Sequence, residues 1–238
     1  SYGAGGQDVW VLKTDGRGNI LWTKTYGGKG NDIATCIASL KDGGYVVGCT
    51  SSSFGEGTNW DICIIKLDMS GSVKFEKCLC AEKDDFVEQL AVLPDGGFVI
   101  TGWTQSFGAG GKDGLVMRFG AEGELIWAKT IGGAKEDAFL SVRITPDNEI
   151  VLAGYTNSFG NHLQAWVVKL DSSGHIKWQK SFSGGRGTIA YDIECCKDGR
   201  LIVAGLSRLF SSGGNDSEAW LFMIYPHVGA KFSGLCNG

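Results

Sequence analysis

Residues 8–52 read DVWVLKTDGRGNILWTKTYGGKGNDIATCIASLKDGGYVVGCTSS, and they contain four short runs rich in valine, isoleucine, leucine and aromatic residues. Clusters of glycine, aspartate, asparagine and serine separate these runs, which is typical of strands joined by tight turns. None of the linkers is long enough for a helix. The stretch recurs along the chain at a shift of 52 or 53 residues. The pattern therefore predicts a repeat protein whose unit is four strands.

The turns indicate antiparallel hairpins. An aspartate followed by glycine or asparagine supplies the positive φ that a tight hairpin turn needs. Such pairs join the first and second strands of each unit at Asp42-Gly43, Asp95-Gly96, Asp147-Asn148 and Asp198-Gly199. The third strands, for example ICIIK (62–66) and WVVKL (166–170), are nearly continuous in apolar residues. Both faces of these strands must therefore be covered.

Four-stranded sheets that repeat and are covered on both sides fit radial stacking about an axis. We therefore predict an all-β fold, a single β-propeller domain over residues 1–238 with five blades, one of them incomplete. The expected units are a half-blade at 1–31 and blades at about 32–83, 84–136, 137–187 and 188–238. One position of the third strand carries Trp10, Leu115, Trp166 and Trp220. We interpret this column as packing between blades, with sugar stacking as the alternative.

The first unit begins with a third and a fourth strand, and its inner pair is missing. That pair lies upstream in a longer precursor, comes from another chain, or is absent from an open ring. Because an open sheet end exposes unpaired backbone groups, we expect a partner chain or an upstream segment to complete this blade.

The GG…D…DGG…T-S skeleton of these repeats resembles the bacterial β-propeller repeat family abbreviated SBBP, and related Gly/Asp-rich surface-protein repeats. The resemblance covers nearly all of the chain. It implies a secreted or cell-surface protein without known catalytic activity, and it provides no active-site motif. The eight cysteines depart from these repeats, so a cytoplasmic location stays an alternative.

Charge and hydropathy exclude two classes of partner. Twenty-two basic and twenty-six acidic residues give a formal net charge of −4, and no Lys/Arg cluster is present, so nucleic acid is not expected. No apolar run approaches the length that crosses a bilayer, so membrane insertion is not expected.

The cysteines give no sign of zinc or redox chemistry, because the sequence contains no CxxC spacing. Free buried thiols are expected, with one Cys36–Cys49 pair across a hairpin as the alternative.

Aspartates recur on the face that receives the glycine-rich loops. They precede third strands at Asp8, Asp61 and Asp113, where they are candidate ligands for sugar hydroxyls or for Ca²⁺, or else acceptors that hold each corner. No calcium-loop spacing is present, so no cofactor is predicted, with Ca²⁺ as the alternative. Departures from the repeat mark a second candidate binding set, Asn161, His162, Asn215 and Asp216.

Arg143 and Glu194 occupy equivalent positions in adjacent units, so we expect a structural ion pair near the axis. The three histidines have no metal-binding spacing, and no catalytic motif is found. We therefore expect a non-enzymatic binding or scaffold module that uses the loop face for a protein or glycan. A multivalent lectin is the first alternative, and a polysaccharide lyase or hydrolase using the axial groove is the second.

Overall fold

The computed structural model describes residues 3–55, 59–184, 187–208 and 218–225. Seventeen strands lie in these ranges, and none of the described residues is helical. No helix with the length and apolar character to cross a membrane is found among them.

The strands form five antiparallel sheets that follow chain order. The half-blade contains β1 (Val9–Thr14) and β2 (Ile20–Tyr26). Blade A contains β3 (Asp32–Ser39), β4 (Tyr45–Ser51), β5 (Asp61–Leu67) and β6 (Val73–Leu79). Blade B contains β7 (Asp85–Val92), β8 (Phe98–Thr104), β9 (Asp113–Phe119) and β10 (Leu125–Ile131).

Blade C contains β11 (Asp137–Ile144), β12 (Ile150–Thr156), β13 (Gln164–Leu170) and β14 (Ile176–Phe182). Blade D contains β15 (Thr188–Cys195), β16 (Leu201–Ser207) and β17 (Glu218–Ile224). The fourth strand expected at the end of the predicted unit 188–238 falls on residues 226–238, outside those that the structure describes. Each sheet falls inside one of the predicted units.

The first strands of the four blades, β3, β7, β11 and β15, pack against one another in that order. The sheets stack face to face, with a hydrophobic cluster between each successive pair. Between blades B and C, for example, Val99 and Val116 share one cluster with Trp166 and Val168. The structure therefore confirms the predicted all-β propeller of four-stranded antiparallel blades.

The hairpin turns have the predicted chemistry. Gly43 has a φ of 82° and Asn148 a φ of 61°, in the left-handed region that tight turns require. In the first of these turns the Asp42 carboxylate accepts a hydrogen bond from the Gly44 amide at 2.9 Å. Each turn is therefore stabilised by its own side chain.

A β-bulge interrupts each first strand at the same place. The register shifts between Ala34 and Cys36, between Val87 and Gln89, between Phe139 and Ser141, and between Ala190 and Asp192. One residue of each first strand therefore lies outside the ladder.

The expected cysteine chemistry is wrong in one respect. Cys63 and Cys78 form a disulfide between β5 and β6, where their Cα atoms lie 4.1 Å apart. The alternative pair is not formed, because the hairpin turn pairs Ser39 with Tyr45 and therefore Cys36 with Gly48, and the bulge beyond Cys36 leaves Cys49 opposite Ala34. Cys36 and Cys49 are free thiols, and burial raises the pKa of both, that of Cys36 to about 11.

Candidate functional site

Three buried aspartates begin the first strands of blades A, B and C. Each carboxylate accepts a hydrogen bond from a serine hydroxyl in the loop after the second strand, from Ser53 to Asp32 at 2.7 Å, from Ser106 to Asp85 at 2.8 Å and from Ser158 to Asp137 at 2.5 Å. The amides of Gly28 and Gly133 donate to Asp32 and Asp137 at 2.8 Å. Because buried carboxylates need such donors, these residues tie the loops of one face together.

The aspartates before the third strands occupy similar corners. Asp61 and Asp113 are each only 1% exposed. Asp61 accepts a hydrogen bond from the Ala81 amide at 2.9 Å, and Asp113 accepts one from the Ala109 amide at 2.9 Å. Asp8 is half-buried, with one longer bond of 3.3 Å from the Ala4 amide. These carboxylates thus accept hydrogen bonds from loop amides, as expected if the aspartates hold each corner. Ligand binding by the same carboxylates stays a prediction.

The second candidate set is divided between described and undescribed parts of the chain. Asn161 and His162 lie exposed in the loop between β12 and β13. The following strand begins with Gln164 instead of aspartate. In the same corner the Thr188 hydroxyl donates to the Phe182 carbonyl at 2.6 Å and accepts from the Ala165 amide at 2.8 Å. Asn215 and Asp216 lie outside the described residues.

A polar network crosses the first strands of blades B, C and D. Arg143 Nε lies 3.1 Å from Glu194 Oε2, and Arg143 Nη2 lies 3.2 Å from Asp192 Oδ1. Arg143 Nη1 also donates to Gln89 Oε1 at 2.6 Å. The Ser141 hydroxyl donates to Asp192 Oδ1 at 2.6 Å and contacts Gln89 Oε1 at 2.9 Å.

This network links three blades through one guanidinium. Two carboxylates and one amide oxygen take up its donors, so the positive charge is compensated where it lies. The sequence places Arg143 and Glu194 at equivalent positions, and they are in contact. Gln89, Ser141 and Asp192 occupy a second set of equivalent positions in the repeats. This alignment indicates that their side chains lie close together in adjacent blades.

Glu88 is a functional candidate that the sequence did not indicate. It is the residue skipped by the bulge in β7, and its Oε1 accepts a hydrogen bond from Trp103 Nε1 at 3.1 Å. Burial raises the pKa of its carboxyl. Trp103 stacks on Phe86 with ring centroids 4.3 Å apart, and Lys112 Nζ lies 4.0 Å from the centroid of the Trp103 ring. The bulge position, variable in the repeats, gave no pattern to detect.

A groove of about 610 Å³ lies beside the inner edge of the half-blade. Its walls include Asp8 and Trp10 of the half-blade and Asp32 and Ile33 of blade A. Trp10 is 63% exposed and Leu12 is 42% exposed. Among the described residues no strand pairs with the inner edge of β1. The missing inner pair thus corresponds to an open, largely apolar surface.

Metal binding has no support from side-chain grouping. In the described part of the chain, no group of three or more His, Cys, Asp or Glu residues is placed to hold a metal ion. The predicted absence of a cofactor stays a prediction, with calcium at the corners as its alternative.

No protein-family model matches the chain, and no curated protein matches it. Among solved structures, the chain is similar to a protein of unknown function from Bacteroides caccae, with 14% identity over 90% of this chain and 70% of that chain, and a TM-score of 0.55. A mutant apocarotenoid oxygenase from Synechocystis has 13% identity over 88% of this chain, with a TM-score of 0.48. The Neurospora crassa Pan2 WD40 domain has 11% identity over 84% of this chain, with a TM-score of 0.45.

The chain spans 54% of the length of the oxygenase and 64% of that of the WD40 domain. At these identities the likeness concerns the fold alone. The specific SBBP-like family stays a prediction.

Proposed function

We propose that this chain is a non-enzymatic propeller module of a secreted or cell-surface protein, which binds another polypeptide chain. The partner supplies the inner strands of the half-blade, and the loop face is the surrounding interaction surface. The localisation follows the resemblance of the repeats to surface-protein propellers.

The observation that carries this proposal is the exposure of β1. Trp10 is equivalent to Cys63, Leu115 and Trp166 in the complete blades, and those three side chains are at most 7% exposed. Large exposed apolar surfaces of this kind mark interaction sites. The exposed Trp10 and Leu12 are thus the counterparts of core residues.

The edge of β1 determines the chemistry of the partner. In the complete blades, the third strand pairs antiparallel with the second strand along its whole length, as β13 pairs with β12. A partner that adds an extended strand to β1 makes the same backbone hydrogen bonds. Alternate residues of that strand lie opposite Trp10 and Leu12, as Gly154 and Leu152 lie opposite Trp166 and Val168 in register. A small residue opposite Trp10 and an apolar side chain opposite Leu12 copy that pattern.

A hairpin from the protein itself is a suitable probe. A labelled peptide of residues 137–156 carries the sequence of β11 and β12, the pair that the half-blade lacks. We expect it to bind the whole chain in a fluorescence anisotropy titration. Trp10→Asp should abolish binding, because it places a charge in the apolar contact.

Ile176→Asp is the matched control, since Ile176 is exposed on the outer strand of blade C. It should leave peptide binding unchanged. Failure of the native chain to bind the peptide, or equal binding by the Trp10→Asp variant, contradicts the proposal.

A multivalent lectin is the second candidate, supported by three exposed rings. Phe54, Phe107 and Phe159 follow the second strands of blades A, B and C at equivalent positions, and all are exposed. Exposed rings in a repeated setting suit stacking on sugar faces. A glycan array in calcium and in chelator tests this function, and the absence of any bound glycan in both conditions rejects it.

A further inference from the structure

A second cleft, of about 450 Å³, lies between blades A and B and is separate from the half-blade groove. Its walls are mainly apolar and include Ile62 and Leu79 of blade A and Leu115, Met117 and Leu125 of blade B. Phe107, whose ring is 61% exposed, lies on its loop side. Both walls thus belong to third and fourth strands of adjacent blades.

The equivalent space between blades B and C is filled. Leu115 pairs with Gly102 in the same register in which Trp166 pairs with Gly154. Trp166 stacks on Phe139 with ring centroids 4.7 Å apart, and it contacts Phe159 at 5.6 Å. Blade B has Val87 where blade C has Phe139, because both residues lie opposite those glycines.

Two aromatic side chains of one interface are therefore aliphatic in the other. Phe107, the counterpart of Phe159, keeps its ring at the mouth of the cleft but has no indole to contact. Blade A also has Ile62 where blade B has Gly114, the glycine against which the Phe139 ring packs, so the isoleucine takes up part of that ring's space. The cleft of about 450 Å³ is the space that remains unfilled.

We propose that the cleft between blades A and B is a binding site for a small, uncharged, planar aromatic molecule of about the size of indole. The ligand takes the place that Trp166 has in the next interface, with one face toward Phe107 and its edge toward Leu115 and Met117.

The polar groups at the cleft agree with an uncharged ligand. The Asp85 carboxylate is buried, and its two oxygens already accept hydrogen bonds from the Ser106 hydroxyl and the Gln105 amide. Lys129 lies in β10 opposite Val116, and its side chain extends toward Gly174 of blade C. The Thr130 hydroxyl and the Cys80 thiol remain at the rim as hydrogen-bonding groups.

Cys80 makes occupancy measurable. It lines the cleft, and it is a free, exposed cysteine. Burial and the nearby Asp61 raise the pKa of its thiol, so alkylation is slow enough to follow at neutral pH. Indole is the probe. At saturating indole, the rate of iodoacetamide labelling of Cys80, read by peptide mass spectrometry, should fall about fivefold or more as the ligand covers the thiol.

Leu115→Trp copies blade C and should fill the site. We expect its affinity for indole, measured by calorimetry, to fall at least about tenfold while the circular dichroism of the protein is unchanged. Should that variant fail to fold, the double substitution Val87→Phe with Leu115→Trp, which copies the neighbouring pair, replaces it.

Ile176→Trp is the matched control, because it adds an indole on an exposed strand of blade C away from the cleft. It should bind indole as the native chain does. Absence of measurable indole binding, unprotected Cys80 at saturation, or undiminished affinity in the filled variants overturns the proposal. Loss of hairpin-peptide binding by Trp10→Asp does not bear on this site.

Discussion

The half-blade and blade C carry equivalent tryptophans in different surroundings. Trp10 is 63% exposed, and its Nε1 donates to the Thr23 hydroxyl at 2.5 Å. Trp166 is 1% exposed and lies between Phe139 and Phe159. The strand sequences around both are similarly apolar, so the neighbouring sheet, and not the strand itself, determines whether the column is core or surface.

The largest predicted difference concerns these two side chains. Trp166→Ala should lower the free energy of unfolding by about 3–5 kcal/mol, because it removes a buried ring from a packed cluster. Trp10→Ala should lower it by less than about 1 kcal/mol, since an exposed ring loses little on truncation. Urea unfolding of both variants measures this, and equal losses would show that the half-blade is as well packed as blade C.

The second prediction concerns the covalent link in blade A. The Cys63–Cys78 pair occupies the ladder position that Trp166 and Ser181 occupy in blade C, so blade A has a disulfide where blade C has ring packing. Replacing both cysteines by alanine should cost about 3 kcal/mol of unfolding free energy, as a closed loop of about fifteen residues predicts. Cys80→Ser, at an exposed thiol, is the control and should change stability by less than about 0.5 kcal/mol.

The third prediction compares two corners. Asp137→Ala should lower stability by about 2 kcal/mol, because the Ser158 hydroxyl and the Gly133 amide lose a charged acceptor. Asp8→Ala removes one long bond at a half-buried site and should cost less than about 1 kcal/mol. Thermal unfolding of both variants decides the matter. A larger loss at Asp8 would indicate that the half-blade corner has an additional role.

The smallest effect should appear at high pH. Burial raises the pKa of Cys36 to about 11 in the folded chain, against 9.0 for an ordinary thiol. The stability that the neutral thiol contributes is complete below pH 9 and is lost as the pH rises through 11, by about 1 kcal/mol at pH 10. Blade C has Ser141 at the equivalent position.

Cys36→Ser should therefore flatten the decline of unfolding free energy between pH 9 and 11, as measured by urea titrations at each pH. Cys49, whose pKa burial also raises, remains in both proteins. An unchanged slope would mean that the Cys36 thiol does not differ between the folded and unfolded chains.

The fold was predictable because its determinants are local and repeated. The residue types of Asn148 and Gly43 indicate the positive φ that each adopts in its turn. The apolar third strands require a neighbouring sheet on each face. The disulfide was not predicted, because bulges shift the pairing. Counting outward from the Leu67–Val73 pair at the turn places Cys63 opposite Lys77, and the extra residue Lys74 in β6 moves it to Cys78.

The candidate sites were predictable only in part. Equivalent positions in adjacent repeats identified Arg143 and Glu194, because equivalent residues of neighbouring blades lie at the same height. The cleft between blades A and B depends on the volumes of Leu115 and Val87 against a facing blade. The volume left between two blades cannot be read from the sequence of one repeat, because it depends on how the side chains of both sheets pack together.

The bulges of the four first strands have a practical consequence. The residues outside the ladder are Thr35, Glu88, Leu140 and Tyr191, four different types at one repeated position. Because the ladder does not depend on them, their identity is free to change from blade to blade. Thr35 and Tyr191 are exposed, so they are attachment points for dyes or cross-linkers through which the distance between blades A and D can be followed in solution.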